Sequence, residues 1–296
     1  MNEESKMILI ADSGSTKTDW CLTDEQGTVA SCATQGINPF QQSEDTIAAI
    51  LADELVAVLP CVPHAVTHIY FYGAGCRDEM IPAMRKTLHG IFSKARTIEV
   101  HSDLMGAARA LFADRDGIAC ILGTGSNSCL YVQGKITANI SPLGYILGDE
   151  GSGAVLGKRL VNALYKGQLP RDLQTLFEQE MQLSLTDIIN KVYRQPLANR
   201  FLASLSPFVS KHIDEPSLEQ LVKDNFDGFF VNNINLYHTT HLPLGAVGSI
   251  ACHYSSQLKA VASAHGYHVG RIITSPIHAL TCYHREQLKR QPILNG

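Results

Sequence analysis

Residues 118–127 read IACILGTGSN, an apolar run that ends directly in a polar loop with two glycines. A short apolar run bounded by glycine is typical of a buried strand. The chain continues as two more strand-like segments, 128–132 and 136–140, on either side of the turn 133–135. This part of the sequence therefore predicts a strand, a glycine loop and a β-hairpin in succession.

The same succession occurs near the N-terminus. An apolar run at 7–11 leads into the loop 12–17, and strand-like segments follow at 20–22 and 29–34. Because the two units begin about 110 residues apart, they indicate two domains of related topology. Between them, residues 43–112 alternate strand-like and helix-like periodicity, which favours an α/β fold with mixed sheets.

We predict two domains, residues 1–116 and 117–296, with a mainly helical insertion over about 154–240 in the second. No low-complexity linker separates the halves, so we expect them to share a cleft. A last helix at 278–288 is expected to pack back across the domain interface. The predicted helices are 43–59, 81–92, 104–112, 154–165, 173–180, 185–193, 197–212, 218–236, 249–264 and 278–288, and the remaining predicted strands are 69–72, 98–101, 242–247 and 269–274.

Composition and charge limit the function classes. The chain has 296 residues, 45% of them apolar, and a formal charge of −4 from 24 Lys and Arg against 28 Asp and Glu. It has no basic stretch, so binding to nucleic acid is not expected. Its first residues carry acids where a signal peptide has basic residues, and no apolar run approaches about 18 residues, so neither a signal peptide nor membrane insertion is expected. The eight cysteines form no C-x-x-C pair, which favours reduced thiols and a cytoplasmic location.

The loop after the first strand has the groups that a phosphate site needs. Its glycine lets the backbone turn tightly and present N–H groups, its hydroxyls can donate, and its lysine can neutralise phosphate charge. Asp12 is placed to hold Mg²⁺, usually through water. The alternative is an ordinary polar hairpin, and a Walker loop is excluded because a strand rather than a helix follows. The candidate residues are Asp12, Ser13, Gly14, Ser15, Thr16 and Lys17.

The second loop, 123–127, is a stronger candidate, because two glycines flank a threonine and two more donors follow. Facing the first loop across a cleft, it would bind the triphosphate from the other side. A third glycine turn, 245–249, lies between a strand and a helix, where small residues and a helix N-terminus suit a nucleotide. The alternative for this third segment alone is a plain glycine turn. The candidate nucleotide ligands are Gly123, Thr124, Gly125, Ser126, Asn127, Gly245, Gly248 and Ser249.

Three such loops in this order resemble the two phosphate motifs and the adenosine motif of the actin/hexokinase/heat-shock-chaperone superfamily. The resemblance is closest to N-acetylglucosamine kinase-like proteins of the BadF/BadG/BcrA/BcrD ATPase family. It covers nearly the whole chain, through DSGSTKTDW at 12–20, ILGTGSNS at 121–128, GYILGDEGSGAVLGKR at 144–159 and PLGAVGS at 243–249. It implies two ribonuclease-H-like domains with mixed sheets around a central ATP and sugar cleft, and the use of ATP and Mg²⁺.

A hydroxyl that accepts a phosphoryl group needs a carboxylate to take its proton. Asp103 stands where the strand at 98–101 ends and the next helix begins. Its position alone leaves two roles open, a helix N-cap and a general base. The resembling kinases carry their catalytic aspartate at this strand-to-helix joint, which makes Asp103 the expected base.

The resemblance also implies the sugar ligands. The turn at 148–152 lines the sugar pocket of similar kinases, so Asp149 is expected to bind sugar hydroxyls with Glu150 beside it; the alternative is helix capping. Asn38 matches an asparagine that holds the sugar, although Pro39 rather than an aromatic residue follows it; the alternative is a turn-forming Asn-Pro. The candidate sugar ligands are Asn38, Gly73, Gly75, Asp103, Gly144, Asp149 and Glu150.

The expected function is ATP-dependent phosphorylation of an amino sugar, with N-acetylglucosamine first and the 6-phosphate as product. Glucosamine, glucose and N-acetylmuramic acid stay open as substrates, and a homodimer stays open because similar kinases often form dimers. One rival is the ATPase activator of a radical dehydratase or reductase, which needs paired cysteines for an iron–sulfur cluster. Cys120 and Cys129 lie on strands on either side of the second loop instead. A second rival is an actin-like nucleotide sensor or structural protein without a sugar substrate.

Overall fold

The computed structural model describes residues 6–14 and 16–290, so the predicted ligand Ser15 lies outside the described residues. The chain forms two compact units. Unit 1 contains the residues up to Asp114 together with the segment from Ser275 onward, and unit 2 is Arg115–Thr274. Each unit is built on one five-stranded sheet.

The sheet of unit 1 consists of β1 Met7–Ser13, β2 Lys17–Thr23, β3 Thr28–Gln35, β4 Val66–Gly73 and β5 Thr97–Ser102. Its strand order is β3-β2-β1-β4-β5. β1, β4 and β5 run parallel, whereas β2 and β3 are antiparallel strands on the other side of β1. The register aligns Asp12 with Tyr72 and Tyr72 with His101, so the parallel strands end at one edge.

The helices that follow the chain through unit 1 are α1 Glu44–Ala49, α2 Ile81–Ile91 and α3 Asp103–Phe112. α1 continues as a π-helical stretch, Ile50–Leu55, and a 3-10 turn, Val56–Val58. The predicted helix at 43–59 therefore forms with three backbone geometries. Large apolar side chains of the sheet, including Trp20 and Phe71, form the buried core under these helices.

The sheet of unit 2 consists of β6 Gly117–Leu122, β7 Ser126–Val132, β8 Lys135–Ala138, β9 Leu244–Val247 and β10 Val269–Ile273. Its order is β10-β9-β6-β7-β8, with β6, β9 and β10 parallel and β7 and β8 antiparallel. This is the topology of unit 1 with β6 in the place of β1. The duplication confirms the predicted fold class, two mixed α/β domains of the actin/hexokinase type.

The helices of unit 2 are α4 Gly144–Leu147, α5 Gly153–Tyr165, α6 Arg171–Met181, α7 Leu185–Tyr193, α8 Ala198–Ala203, α9 Ser206–Lys211, α10 Pro216–Asn232, α11 Ser249–His253 and α12 Ser255–Ala264. The predicted helix at 197–212 is divided into α8 and α9, because Pro207 lacks the N–H that a continuous helix needs. The predicted helix at 249–264 is likewise divided, at Tyr254. The single turn of α4 is too short for a periodic pattern in the sequence.

The C-terminal helix, α13 Ile277–Arg290, belongs to unit 1. It packs on α3, β1 and β2, and its Leu280, His284 and Leu288 are buried. The predicted second domain, 117–296, included this helix, and the structure places it with the first sheet instead. The apolar face of a helix is visible in a sequence, but the unit that this face covers is not. Within the described ranges, no helix is long and apolar enough to cross a membrane.

Candidate active site

Asp103 is the first residue of α3, directly after β5. The N-cap of this helix is Ser102, whose side chain accepts a hydrogen bond from the backbone N–H of Met105 at 3.3 Å. The Asp103 carboxylate accepts local backbone bonds, from the N–H of Leu104 to Oδ1 at 2.9 Å and from its own N–H. Because Ser102 performs the capping, the Asp103 carboxylate keeps acceptor capacity for a ligand at the carboxyl edge of the sheet.

Asp12, at the end of β1, lies in the electrostatic field of Asp103. Burial, followed by the negative charges of Asp103 and Asp19, raises the pKa of Asp12 to about 7, against an opposing effect of Lys17. Burial also raises the pKa of Asp103. Burial disfavours the ionised form of both carboxylates, and the charge of Asp103 adds to this at Asp12, so a bound cation would be favoured, which fits Mg²⁺ at Asp12. Among the described residues no cluster of three His, Cys, Asp or Glu side chains could hold a metal.

The first loop, between β1 and β2, is a tight hairpin with exposed polar groups. The backbone N–H of Gly14 donates to the carbonyl of Lys17 at 3.0 Å. The side chain of Lys17 is exposed and pairs with Asp19 at 2.9 Å, and Thr16 is exposed beside it. An ion pair this exposed is weak, so Lys17 can exchange Asp19 for a phosphate group.

Ser13, a predicted phosphate donor, is instead fully buried. Its Oγ lies 2.6 Å from Oγ1 of Thr18 and donates to the carbonyl of Ile37 at 2.9 Å. The backbone N–H of Ile37 donates back to the same Oγ at 3.0 Å. Ser13 therefore fixes the segment that precedes Asn38, and the prediction that it donates to phosphate is wrong for this reason.

Asn38 and the turn after β4 lie in direct contact. A β-carbon at Gly75, whose φ is +76°, would overlap the side-chain amide of Asn38. Asn38 is 8% exposed, and its Oδ1 accepts from the backbone N–H of Phe40 at 3.0 Å, which leaves the amide nitrogen as a donor. A β-carbon at Gly73 would lie 2.6 Å from the ring of Phe71. The structure thus brings together three predicted sugar ligands, at a place where two glycines are required.

Sequence reasoning missed a second contact between the same two segments. The guanidinium of Arg77 lies 4.0 Å from the ring centroid of Phe40, whose side chain is exposed. Such a cation–aromatic contact is worth about 0.5–1 kcal/mol at an exposed site. Phe40 supplies, one residue later, the aromatic ring that is missing directly after Asn38. The pair forms a rim beside the Asn38–Gly75 contact.

In unit 2, Asp149 lies against the second loop. Its carboxylate accepts hydrogen bonds from the backbone of Ser126 and of Gly144, and its Oδ2 would be 3.1 Å from a β-carbon at Gly125. Burial raises the pKa of Asp149 to about 6, and these backbone bonds act in the opposite direction. Two predicted sugar ligands, Asp149 and Gly144, are therefore bonded to each other and to a predicted nucleotide ligand.

Two other predicted ligands have side-chain partners elsewhere in unit 2. Oδ1 of Asn127 accepts from the backbone N–H of Ser128 and from Nδ2 of Asn139, each at 2.9 Å. Oε1 of Glu150 accepts from Nδ2 of Asn232, on α10, at 3.0 Å. Asn127 is thus engaged within the sheet, and Glu150 is held at the surface of α10.

The second and third loops meet at Gly248. Its φ is +125°, and a β-carbon there would overlap the carbonyl of Leu122, the last residue of β6. The backbone N–H of Gly248 donates to the carbonyl of Ile273 at 2.9 Å. Ser249 then begins α11, while Gly245 is buried within β9. Only glycine permits this approach, so the third loop has a structural reason for its Gly248.

A cavity of about 560 Å³ opens beside these two loops. Three predicted nucleotide ligands line it: Gly123, Thr124 and Ser249. Its other wall comes from α8 and α9, which sequence reasoning did not assign to the site, and from the end of α11, and includes Arg200, Ser204, Ser210, Lys211, His253 and Tyr254. No local signal in the sequence connects α8 and α9 to the glycine loops. The volume falls in the range of small-molecule sites, and the lining offers many donors.

No protein-family model matches the chain. A protein from Porphyromonas gingivalis, provisionally named an N-acetylglucosamine kinase, is 47% identical and superposes with a TM-score of 0.92, over 95% of this chain and 100% of that one. A second provisionally named N-acetylglucosamine kinase, from Chromobacterium violaceum, is 18% identical with a TM-score of 0.66, over 95% and 99% of the two chains. The second likeness shows a shared fold.

One curated relative, the N-acetylmuramic acid/N-acetylglucosamine kinase of Clostridium acetobutylicum, is 34% identical over 103 residues. That match spans 32% of this chain and about a third, 33%, of the relative. The similarity to the Porphyromonas protein, in contrast, extends along both chains at high identity. The chain belongs to the N-acetylglucosamine kinase-like family of sugar kinases, within the actin/hexokinase-like ATPases.

Proposed function

We propose that this protein transfers the γ-phosphoryl group of ATP to the 6-hydroxyl of an amino sugar, with N-acetylglucosamine the foremost candidate. The observation that carries the proposal is the state of Asp103: Ser102 caps α3, so the Asp103 carboxylate is available at the edge of the sheet. The names of two relatives support the choice of sugar. We place the reaction in the cytoplasm, where ATP is supplied.

Asp103 acts as the general base in this proposal. It accepts the proton of the 6-hydroxyl while the sugar oxygen forms a bond to the γ-phosphorus and the bond to the β–γ bridging oxygen breaks, releasing ADP. Burial raises the pKa of Asp103, which makes its ionised form a stronger proton acceptor. The backbone N–H of Leu104 holds Oδ1, so the carboxylate is oriented before the sugar binds.

The first loop is assigned to the phosphates. Bound Mg²⁺ would neutralise charge on the β- and γ-phosphates of ATP. Asp12 would hold the hydrated ion, consistent with the raised pKa of this carboxyl. Lys17 donates to a phosphate oxygen after leaving Asp19, with the Thr16 hydroxyl as a further donor, while the N–H of Gly14 stays bonded to the carbonyl of Lys17. We retain Ser15 as a ligand on the sequence argument alone.

We assign the cavity of unit 2 to the nucleoside of ATP. Gly123 and Thr124 lie at the end where the second loop would meet the phosphates, and Ser249 lies at the N-terminus of α11. The wall formed by α8 and α9 would contact the base and ribose. Gly125, Gly245 and Gly248 shape the two loops without lining the cavity, and Ser126 contributes its backbone to Asp149. Asn127 supports the strand that follows.

The sugar is assigned to two groups of residues. In unit 1, the amide nitrogen of Asn38 donates to a sugar oxygen. Gly73 and Gly75 have no side chain, so the backbone beside Asn38 is open to the sugar. In unit 2, we retain Gly144 and Glu150 as sugar ligands. Asp149 could accept from a sugar hydroxyl in addition to its two backbone donors, because a carboxylate has about four acceptor sites.

A coupled ADP-release assay with Mg·ATP tests the proposal on a panel of N-acetylglucosamine, glucosamine, glucose, N-acetylmannosamine and N-acetylmuramic acid. Strong stimulation by one of these sugars, with phosphate found on O6 by NMR, would support a sugar kinase and identify its substrate. Hydrolysis of ATP that no sugar stimulates would overturn it and favour an actin-like ATPase. An iron-containing preparation with the same behaviour would favour the dehydratase activator.

A further inference from the structure

The turn with the sequence GDEGSG, residues 148–153, is bonded to the second loop through the backbone. The N–H of Gly153 donates to the carbonyl of Gly123 at 2.8 Å, and the N–H of Ala154 donates to the carbonyl of Thr124 at 3.1 Å. Both acceptors line the cavity assigned to the nucleotide. A displacement of the turn therefore displaces the backbone that faces the nucleotide.

Asp149 adds side-chain bonds to this backbone ladder. Its carboxylate holds Ser126, in the second loop, and Gly144, at the start of α4. Its own N–H donates to the carbonyl of Pro142 at 2.8 Å, which closes the segment 142–149 into a loop. One buried side chain thus joins the nucleotide loop to the segment assigned to the sugar.

The backbone conformation of Asp149 is uncommon for a residue that carries a side chain. Its φ is +56°, in the left-handed region that glycine adopts at least cost. Glycine occupies positions on both sides of it, at 148 and 151, so the turn uses glycine freely elsewhere. A carboxylate at a position that favours glycine is accounted for by its bonds to Ser126 and Gly144.

Asn225, on α10, supports the turn from the opposite side. It is 1% exposed, its Oδ1 accepts from the backbone N–H of Gly151 at 3.2 Å, and its Nδ2 donates to the carbonyl of Ser152 at 3.1 Å. An amide satisfies one donor and one acceptor at the same time, which neither a carboxylate nor an apolar side chain of this size can do. Ser152 in turn caps α5, with its side chain accepting from Val155 at 3.2 Å.

We propose that Asp149, supported by Asn225, is a positioning residue that couples the nucleotide loop 123–127 to the sugar segment 142–150. The inference rests on the proposed function, because it takes the nucleotide and the sugar to bind these two segments. A ligand that orders one of these segments lowers the entropy cost of ordering the other. Bound nucleotide therefore raises the affinity for the sugar, and bound sugar raises the affinity for the nucleotide. A residue that only contacts the sugar would have no effect on nucleotide binding alone.

The test is the affinity of the full-length protein for Mg·ADP in the absence of any sugar, measured by calorimetry. Asp149→Asn replaces one acceptor oxygen by an NH₂ group that faces a backbone donor, so the dissociation constant is expected to rise roughly fivefold or more. Asn225→Asp keeps an acceptor for the N–H of Gly151 but places a carboxylate oxygen against the carbonyl of Ser152. We expect the dissociation constant for Mg·ADP to rise in this variant too, by a smaller factor. Asp224→Asn, an exposed neighbour on α10, is the matched control and should bind like the wild type.

Kinetics give the second readout. In Asp149→Asn the KM for ATP and the KM for the sugar should both rise and kcat should fall, whereas an unchanged Mg·ADP affinity with a raised sugar KM alone would overturn the proposal. If Asp149→Asn does not fold, Asn225→Asp decides by the same criteria, and wild-type affinities in that variant would overturn it. Wild-type protein that binds Mg·ADP but phosphorylates no sugar would refute the proposed function, while the calorimetric comparison would still test the coupling.

Discussion

The hydroxyl of Tyr72 lies 2.7 Å from Nε2 of His284 and bonds the strand β4 to the C-terminal helix α13. Arg109, on α3, donates through Nη1 to the same hydroxyl oxygen at 2.7 Å. Since an arginine side chain only donates, the tyrosine oxygen accepts from Arg109, and the tyrosine O–H donates to Nε2 of the imidazole. This arrangement requires a neutral His284, which is buried and stacked on Tyr70 with ring centroids 3.6 Å apart.

This network makes the stability of the protein dependent on pH. Burial, followed by the charge of Arg109, lowers the pKa of His284 from 6.5 to about 3. Between these values the unfolded chain binds a proton that the folded chain does not, so the free energy of unfolding falls as the pH falls through this window. At about pH 5 the expected loss from this one group is about 2 kcal/mol relative to neutral pH.

Replacing this histidine tests the origin of the effect. His284→Gln keeps an acceptor for Tyr72 but cannot titrate, so the difference in unfolding free energy between about pH 7.5 and pH 5 should shrink by about 2 kcal/mol in urea denaturation. His89→Gln removes an exposed histidine from α2 and serves as the control. A pH dependence of the His284→Gln variant equal to that of the wild type would show that His284 does not titrate in this way.

Asp103→Asn should abolish turnover and leave binding intact. The amide has nearly the same shape and still accepts from Leu104, but it cannot take a proton from the sugar hydroxyl. General-base catalysis contributes about 10²–10⁴ in rate, so kcat should fall by at least that factor. The dissociation constants for the nucleotide and for the sugar should both stay within about twofold of the wild-type values. Asp53→Asn, an exposed change on the π-helical stretch, is the control. Near-normal turnover by Asp103→Asn would exclude Asp103 as the base.

The sequence was sufficient to predict the two sheets, because each apolar run ends in a glycine loop and the pattern occurs twice. The paired loops 12–17 and 123–127 lie at equivalent positions, after β1 and β6. The predicted domain boundary assigned α13 to the second domain, whereas the expectation that this helix packs back on the other domain agrees with its contacts to β1, β2 and α3. Pro207 by itself predicts the break between α8 and α9, because its missing N–H cannot bond within a continuous helix.

The site was only partly predictable from local patterns. Asp103, Asn38 and Gly75 could be placed at the ends of strands from local motifs, but the contact between Asn38 and Gly75 was not predicted and is seen only in the structure. The role of Ser102 as the helix cap required the hydrogen bonds themselves, because Ser and Asp are both good caps. The α8–α9 wall of the cavity and Asn225 lie far along the chain from any glycine loop, so no local signal connects them to the site.

Gly75→Ala should impair the sugar side and leave the nucleotide side unchanged. The added β-carbon would overlap the amide of Asn38, and the φ of +76° disfavours any side chain. We expect a loss of about 1–3 kcal/mol of stability and a raised KM for the sugar, with unchanged Mg·ADP affinity. Gly90→Ala, in α2 where a β-carbon meets nothing within 4 Å, should leave stability equal or slightly higher. If Gly75→Ala had the same KM for the sugar as the wild type, Asn38 would have no part in sugar binding.

Ser204→Phe should block the cavity that we assign to the nucleoside. Ser204 lines this cavity between α8 and α9 and is exposed, so a phenyl ring fills the space without disturbing the buried core. The dissociation constant for Mg·ADP should rise at least about tenfold, equivalent to about 1.4 kcal/mol, while the melting temperature stays close to that of the wild type. Thr175→Phe adds the same ring to the exposed face of α6, outside the cavity, and should bind Mg·ADP normally. If Ser204→Phe also binds Mg·ADP normally, the nucleoside lies elsewhere and the α8–α9 wall has no part in the site. Because this variant leaves Asp103 and Asn38 untouched, its effect on nucleotide affinity is independent of the identity of the sugar.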